Sequence, residues 1–289
     1  MAKRKIGINP KKFEVSQIKF YVILAPFVAF MLLPIIFIVN HAFKPMDELF
    51  AFPPTFFVKQ PSLENFKNLL KASQISNIPL SRYVFNSLVV TILVVILAVL
   101  ITSMAGYVLS KKNFKGKKIA LELNNTALMF VPTAVTIPRY IIINVLGLEN
   151  NFLAHILPLL AMPVALFLIK QFIDQVPNEL IEASLMDGAS EWTVYWKVIM
   201  PLIKPALATA ALLVFQAVWN NIETSQLFMT SDSLRTLAFY LNTFAANTNL
   251  VVGQGIAAAA SLIRFIPNLV LFIILQSNLM NTMNHSGIK

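Results

Sequence analysis

Cysteine is absent from this chain, and charged residues make up only 12% of it. Without thiols, disulfide bonds and thiolate metal sites are excluded. The three histidines, His41, His155 and His285, are too far apart in the sequence to indicate a metal cluster. Soluble domains carry about 25% charged residues, so this chain has about half of their usual charge. The composition therefore disfavours an ordinary soluble domain.

Hydrophobic residues make up 57% of the 289 residues, and the mean hydropathy is +0.71. A helix crosses a bilayer with about 20 apolar residues. We therefore predict an all-α polytopic membrane protein with a tail at 1–19 and one membrane domain at 20–289. The first segment has no Lys, Arg, Asp or Glu between Phe20 and Phe43, which predicts a retained signal anchor. The six predicted spans are 20–43, 83–110, 120–146, 152–172, 201–222 and 255–280.

Prolines occur in three of these spans, and they predict kinks because each removes one backbone hydrogen bond. They are Pro132 and Pro138 in the third span, Pro158 and Pro163 in the fourth, and Pro267 in the sixth. Between the first two spans, residues 62–72 are predicted to form an amphipathic helix on the outer surface, with Ser62 as its N-cap.

The distribution of basic residues predicts the orientation, since Lys and Arg are concentrated in cytoplasmic loops. If the N-terminus is inside, 15 of them lie in cytoplasmic segments and six in outer segments; Arg139 and Arg264 fall within spans. Both termini are therefore expected in the cytoplasm of a bacterial inner-membrane protein. The net charge of +10 is assigned to topology, and nucleic acid is not expected as a partner.

The loop at 174–200, between the fourth and fifth spans, has an unusual pattern for a cytoplasmic segment. Pro177 suits a first helical position, Gly188 a left-handed C-terminal cap, and Ser190 the N-cap of a second helix ending at Pro201. Its five acidic residues are Asp174, Glu179, Glu182, Asp187 and Glu191. Leu180, Ala183 and Ser184 give the first helix a narrow face of mostly small residues. A helix docking into the groove of a basic partner is favoured over an ordinary solvated connector.

The same loop carries a motif with fixed spacing. Glu182-Ala183-Ser184, three residues, Gly188, nine residues and Val198-Ile199-Met200-Pro201 resemble the signature E-A-A-x3-G-x9-I-x-L-P of permease subunits in binding-protein-dependent ABC importers. Phe43-Lys44-Pro45, residues 61–66, 234–237 and 267–272 resemble stretches of the carbohydrate branch, which includes the second maltose permease subunit. The resemblance extends over nearly the full chain and implies a type I importer permease fold.

The resemblance implies a coupling helix that seats in a cleft of an ATP-hydrolysing subunit. The implied docking residues are Glu182, Ala183, Ser184, Asp187, Gly188, Ala189 and Pro201. The implied partners are a second homologous permease, two ATP-binding subunits and an extracytoplasmic solute-binding protein. This chain has no G-x4-G-K-[ST] loop, so ATP and Mg²⁺ are expected in the partner ATPase; the chain itself is expected to be a non-catalytic subunit without a cofactor.

Polar residues inside the spans are candidates for the path of the substrate. Gln216, Asn220 and Glu223 are spaced to share a helical face, and the indole of Trp219 would suit a sugar. Such residues also join membrane helices, and an arginine can extend to the interface, so a structural role stays open. The candidate residues are Asn124, Asn125, Thr133, Thr136, Arg139, Gln216, Trp219, Asn220, Glu223 and Arg264.

Several alternatives remain at this point. Arg139 and Arg264 would also suit an anionic solute such as a uronate or a glycerol phosphate. A gradient-driven secondary transporter is disfavoured because no Asp or Glu lies deep in a span. A membrane enzyme lacks paired carboxylates, a histidine cluster or a nucleophile beside a base, and a structural assembly factor stays possible.

Overall fold

The computed structural model describes residues 17–75, 78–247 and 252–286, and all regular structure in these ranges is helical. The helices of the first half are α1 (Ile18–Phe43), α2 (Met46–Leu49), α3 (Glu64–Ile75), α4 (Leu80–Lys111), α5 (Lys117–Met129), α6 (Thr136–Val145), α7 (Leu153–Leu160) and α8 (Pro163–Asp174). Those of the second half are α9 (Asn178–Met186), α10 (Glu191–Val194), α11 (Met200–Leu202), α12 (Lys204–Trp219), α13 (Glu223–Phe228), α14 (Leu237–Asn247) and α15 (Val252–Ser286). Short 3-10 helices lie at Pro132–Val135 and Asp232–Leu234, and a π-helix lies at Tyr195–Ile199.

Three of the predicted spans are single helices long and apolar enough to cross a membrane. They are α1, α4 and residues Gly253–Gln276 of α15. The predicted spans 20–43 and 83–110 match α1 and α4 within three residues at each end. The predicted span 255–280 lies inside α15, which extends beyond it at both ends. A kink was predicted at Pro267, but this residue lies inside the continuous helix α15, which is not broken there.

The third span was expected as one kinked helix over 120–146, and this is wrong. Lys117–Met129 and Pro132–Val145 meet at 112°, so neither half continues the direction of the other. The cause is local, because Pro132 disfavours helical backbone at the preceding residue, and Val131 is extended with ψ of 131°. The fourth span has a milder bend of 44° between α7 and α8. Six spans are obtained only when each bent pair counts as one crossing.

The fifth span begins later than predicted, and Pro201 does not end the helix before it. Glu191–Leu202 runs as one helical segment to Ile203, where the chain turns by 81° into α12. Pro201 cannot donate to the carbonyl of Lys197, and its ring would crowd that carbonyl. The backbone widens into the π-helix just before it, where the Met200 N–H donates to the Tyr195 carbonyl.

The core lies where α4, α8 and α12 pack against one another. Val94, Ala98, Ile169, Ala206 and Ala210 are fully buried there. Gly106 of α4 brings the helices close, since a Cβ atom on it would lie 3.3 Å from the Ile169 side chain. Small residues at such contacts are typical of membrane helices, whose association depends on close packing.

The segment between α1 and α4 is built into the bundle. The helix predicted at 62–72 is α3, and the Ser62 hydroxyl accepts from the Glu64 N–H at 3.1 Å. Leu69 is fully buried, so α3 is more than a surface helix. The Asn65 amide donates to the carbonyls of Ala42 and Lys44, at 3.1 and 2.8 Å. Both carbonyls lie at the C-terminal end of α1.

A second group of contacts orders the segment that joins α2 to α3. The Glu48 carboxylate accepts from the backbone N–H groups of Lys59 and Gln60, at 3.0 and 2.6 Å. The Lys59 N–H in particular holds the pKa of Glu48 below its usual value. The Lys44 ammonium donates to the Thr55 carbonyl. Phe52 is held in this segment with its side chain 94% exposed.

Candidate functional site

The predicted docking helix is α9, and a left-handed turn ends it at Gly188. Pro177 was predicted as its first helical residue but is its N-cap, so the helix begins one position later, at Asn178. The Ala189 N–H donates to the Ser184 carbonyl and the Gly188 N–H to the Leu185 carbonyl, each at 3.0 Å. These two bonds form a Schellman motif. Gly188 has φ of +82°, which favours glycine, whereas the space around it is open.

The segment after this turn starts as predicted. The Ser190 hydroxyl accepts from the Thr193 N–H at 3.2 Å and caps α10. Glycine and serine together therefore fix the corner between α9 and α10. The motif residue Pro201 lies further along, inside the second helical segment and next to the π-helix.

Most of α9 faces away from the rest of the chain. Ile181 is its buried residue and attaches the helix to the main core. Glu182, Ala183, Asp187 and Gly188 are exposed, Ser184 and Ala189 are half-buried, and the Ser184 hydroxyl donates to the Leu180 carbonyl at 2.8 Å. Large apolar side chains are exposed on the same turn, Leu180 at 45% and Met186 at 89%.

The five acidic residues of the loop divide into two groups. Asp174 accepts from Ser110 and Lys170, both at 2.6 Å, and Glu191 accepts from Lys112 and from the Tyr107 hydroxyl. Glu179 attracts the Lys111 ammonium, which donates to the Val176 carbonyl and to Asn178. Lys111 and Lys112 at the end of α4 and Lys170 of α8 therefore supply the cations for these three carboxylates.

The second group is Glu182 and Asp187. Among the residues that the structure describes, neither makes an ion pair or a side-chain hydrogen bond. Both are exposed; Glu182 lies in α9, and Asp187 is its C-cap, directly before Gly188. The whole loop was expected to need an external basic partner. Among the described residues, only these two carboxylates are left for such a partner to bind.

Two of the substrate-path candidates form an ion pair that the sequence does not reveal. The Arg139 guanidinium donates to the Glu223 carboxylate at 2.7 Å, with both side chains about one-quarter exposed. Arg139 also lines a largely apolar cavity of about 410 Å³ between α6 and α7. The predicted common face of Gln216, Asn220 and Glu223 is wrong, because α12 ends at Trp219 and Glu223 begins the separate helix α13.

A second group of candidates meets in a cavity of about 440 Å³ between α1, α12 and α15. Gln216, Asn220 and Arg264 all line it. The Arg264 guanidinium donates to the backbone carbonyl of Asn220 at 3.1 Å and, more weakly, to its side-chain oxygen at 3.4 Å. The remaining lining residues are Ile35, Ile38, Val39, Ser261, Leu262, Phe265 and Asn268.

The other candidates are not among the residues that line this cavity. Trp219 is buried, stacks on Phe215 and donates its indole N–H to the Arg264 carbonyl at 3.2 Å. Asn124 lies against the start of α8, with its amide 3.5 Å from the Pro163 carbonyl. The Thr136 hydroxyl bonds back to the Pro132 carbonyl. Asn125 and Thr133 are exposed.

Sequence reasoning missed three polar residues: Ser261, which is exposed, Asn268, which is half-buried, and His155. Ser261 and Asn268 lie three residues before and four after Arg264, so the helical period of α15 could have identified them. His155 is fully buried, and its ring contacts the Thr224 hydroxyl at 2.8 Å and the Leu234 carbonyl at 3.0 Å. These partners are 69 and 79 residues away, so no local pattern indicated them.

Comparison with known proteins agrees with this geometry. The Sulfoquinovosyl glycerol transport system permease protein SmoH of Agrobacterium fabrum is 28% identical over 89% of this chain and 89% of its own. The Arabinooligosaccharides transport system permease protein AraQ of Halalkalibacterium halodurans is 28% identical over 91% of this chain and 93% of its own.

A solved structure has the same fold. It is the crystal structure of a bacterial ABC transporter involved in the import of the acidic polysaccharide alginate, one chain of which aligns with a TM-score of 0.78 at 20% identity. The alignment covers 93% of this chain and 99% of that one. The fold is therefore that of an ABC importer permease.

Residues 98–278 match the family described as binding-protein-dependent transport system inner membrane component. This range includes the glycine turn, both arginine sites and α12. Proteins of this family are membrane-embedded, non-catalytic permease subunits of ABC importers, and ATP is hydrolysed in their partner subunits. The chain belongs to this family.

Proposed function

We propose that this permease subunit imports saccharides and that α9 is its contact with the ATPase. The saccharide assignment is supported by the names of two relatives, which transport a sulfoquinovosyl glycerol and arabinooligosaccharides. Both align with about nine-tenths of this chain. ATP and Mg²⁺ bind the partner ATPase in this proposal, and this chain holds neither.

The observation that carries the docking proposal is a pair of exposed carboxylates, Glu182 and Asp187, that have no partner among the residues that the structure describes. Glu182 and Asp187 project from a helix whose backbone is fixed by Gly188 and by the cap at Ser190. Exposed Leu180 and Met186 beside them supply apolar surface. A basic, partly apolar groove on another protein complements this arrangement.

The proposed assembly contains a second homologous permease, two ATP-binding subunits and an extracytoplasmic solute-binding protein. Four large apolar residues of α5 and α6 are exposed: Ile119, Leu123, Ile137 and Ile141. A helix of another subunit or lipid is needed to cover them. A binding protein is consistent with the family description. The loop that contains α9 faces the cytoplasm in this assembly, following the bias in Lys and Arg.

The test is purification of this chain from detergent-solubilised membranes, with Glu182→Lys as the variant. We expect an ATPase and a second permease to co-elute with the natural chain, and the ATPase to be lost from the variant because like charges repel. Glu64→Lys is the matched control, since Glu64 is exposed in α3, on the predicted outer side.

Two results would contradict the proposal in different ways. If Glu182→Lys retains the ATPase as well as Glu64→Lys does, α9 is not the docking element. If the folded natural chain elutes without any ATPase, the proposed coupling to ATP hydrolysis fails and a gradient-driven transporter becomes the better hypothesis.

A further inference from the structure

Arg264 is a cation in the middle of an apolar helix. It is the twelfth of the 24 residues in the membrane-spanning stretch Gly253–Gln276. At 1.5 Å per residue it lies about 16–18 Å from either end of that stretch. A charge at this depth costs about 2.5–3.5 kcal/mol on insertion scales, so its compensating partners indicate its role.

The partners of Arg264 are neutral, which sets it apart from two other arginines. Arg139 pairs with Glu223, and Arg235 pairs with Asp232. Arg264 donates to the carbonyl and side-chain oxygens of Asn220, just beyond the C-terminus of α12. The dipole of a helix supplies only about half a negative charge at that end, and Arg264 has no carboxylate partner among the residues that the structure describes.

Other groups around the same cavity have unused hydrogen-bonding capacity. The side chains of Gln216 and Ser261 make no hydrogen bond to any residue that the structure describes. The Asn268 amide donates to the Arg264 carbonyl at 2.9 Å, but its oxygen is buried without a donor. Buried polar atoms normally have partners, so an unpaired oxygen beside an unbalanced cation indicates a missing ligand.

We propose that this cavity is a subsite for saccharides that carry a carboxylate. Arg264 binds the carboxylate, and Gln216, Ser261 and Asn268 bind the hydroxyl groups, with the Asn268 oxygen as an acceptor. Leu262 and Phe265 supply apolar surface for the sugar ring. The volume of about 440 Å³ accommodates one or two sugar units. The inference rests on the proposed function and deepens it by naming the substrate class.

The depth of the site argues against a lipid headgroup as the anion. Headgroups lie at the bilayer surface, about 15 Å from the midplane. Arg264 lies near the centre of its apolar stretch, which places the cavity beyond their normal reach. A solute that crosses the membrane passes through this depth.

The test compares matched trisaccharides on the assembly that co-purifies with this chain, prepared without the solute-binding protein. Trigalacturonate and galactotriose differ in the carboxylates, and their affinities are measured by calorimetry. We expect trigalacturonate to bind about tenfold more tightly, the gain from one charge-assisted pair. Arg264→Gln removes this preference, whereas Arg264→Lys retains part of it.

Two further variants separate the pairing from effects on folding. Asn268→Asp places a carboxylate next to Arg264 and is expected to remove the preference for trigalacturonate. Arg235→Gln makes the same charge change away from the cavity and retains the preference. Equal affinity for both sugars, absence of trigalacturonate binding, or a preference that persists in Arg264→Gln and Asn268→Asp would overturn the inference. An ATPase in the same preparation would leave the proposed function standing, so the two failures are distinguishable.

Discussion

At the residue scale, Gly188 connects a backbone conformation to the proposed coupling. Its φ of +82° lies in the region that costs other residues about 1–2 kcal/mol, and asparagine tolerates it better than most. Since no atom lies within 4 Å of a Cβ built there, a substituent meets no steric obstacle. Any effect of substitution therefore comes from the backbone.

We predict that Gly188→Val weakens co-purification of the ATPase several-fold, while Gly188→Asn retains most of it. The reason is that valine is branched at Cβ and opposes the left-handed turn that orients Glu182 and Asp187. Quantification of the ATPase per mole of bait measures this. Equal loss in both variants would show that the side chain, and not the turn, determines docking.

The sequence predicted this corner well because its determinants are local. Gly188 and Ser190 act on backbone groups within five residues, so the turn and the cap follow from the residues themselves. The pairing of Arg139 with Glu223 spans 84 residues and depends on the break after Trp219. The sequence therefore predicted both residues as candidates but not their contact.

At the scale of elements, hydrophobic runs predicted where helices lie but not how they bend. The spans of α1, α4 and α15 are long and apolar, and length alone identified them. Hydropathy gives no sign of the 112° turn before Pro132 or of the 81° turn at Ile203. Proline indicated a disturbance at both places, but its size depends on whether neighbours satisfy the freed carbonyls.

The helices α1, α3 and α15 pack closely against one another around Gly255 and Asn65. A Cβ atom on Gly255 would lie 2.6–2.8 Å from the amide of Asn65, which is itself bonded to the end of α1. We predict that Gly255→Ala lowers stability by about 1–3 kcal/mol, the usual cost of overpacking. Thermal unfolding of the detergent-solubilised chain measures it.

A double-mutant cycle distinguishes this contact from a general effect of losing glycine in a helix. Asn65→Ala removes the obstructing amide, and alanine favours helix over glycine. Gly255→Ala in the Asn65→Ala background should therefore cost much less than it does alone. Additive losses would show that Gly255 and Asn65 are independent.

At the scale of the whole molecule, the predicted orientation depends on the excess of Lys and Arg on one side. The natural chain has no cysteine, so a single introduced cysteine is a unique chemical label. Phe52 and Met186 are suited to this, because their side chains are 94% and 89% exposed on segments fixed by hydrogen bonds. The two positions belong to opposite sides of the membrane in the predicted topology.

We predict that Phe52→Cys in intact spheroplasts reacts with a membrane-impermeant maleimide, whereas Met186→Cys reacts only in inverted vesicles. Both should react after the membrane is dissolved in detergent, which controls for accessibility within the fold. The reverse pattern would place α9 outside, where it could not meet a cytoplasmic ATPase. Since labelling is independent of transport, it tests the orientation separately from the substrate proposal. Vesicles prepared without the ATPase keep Met186 accessible, because this residue belongs to the proposed docking surface.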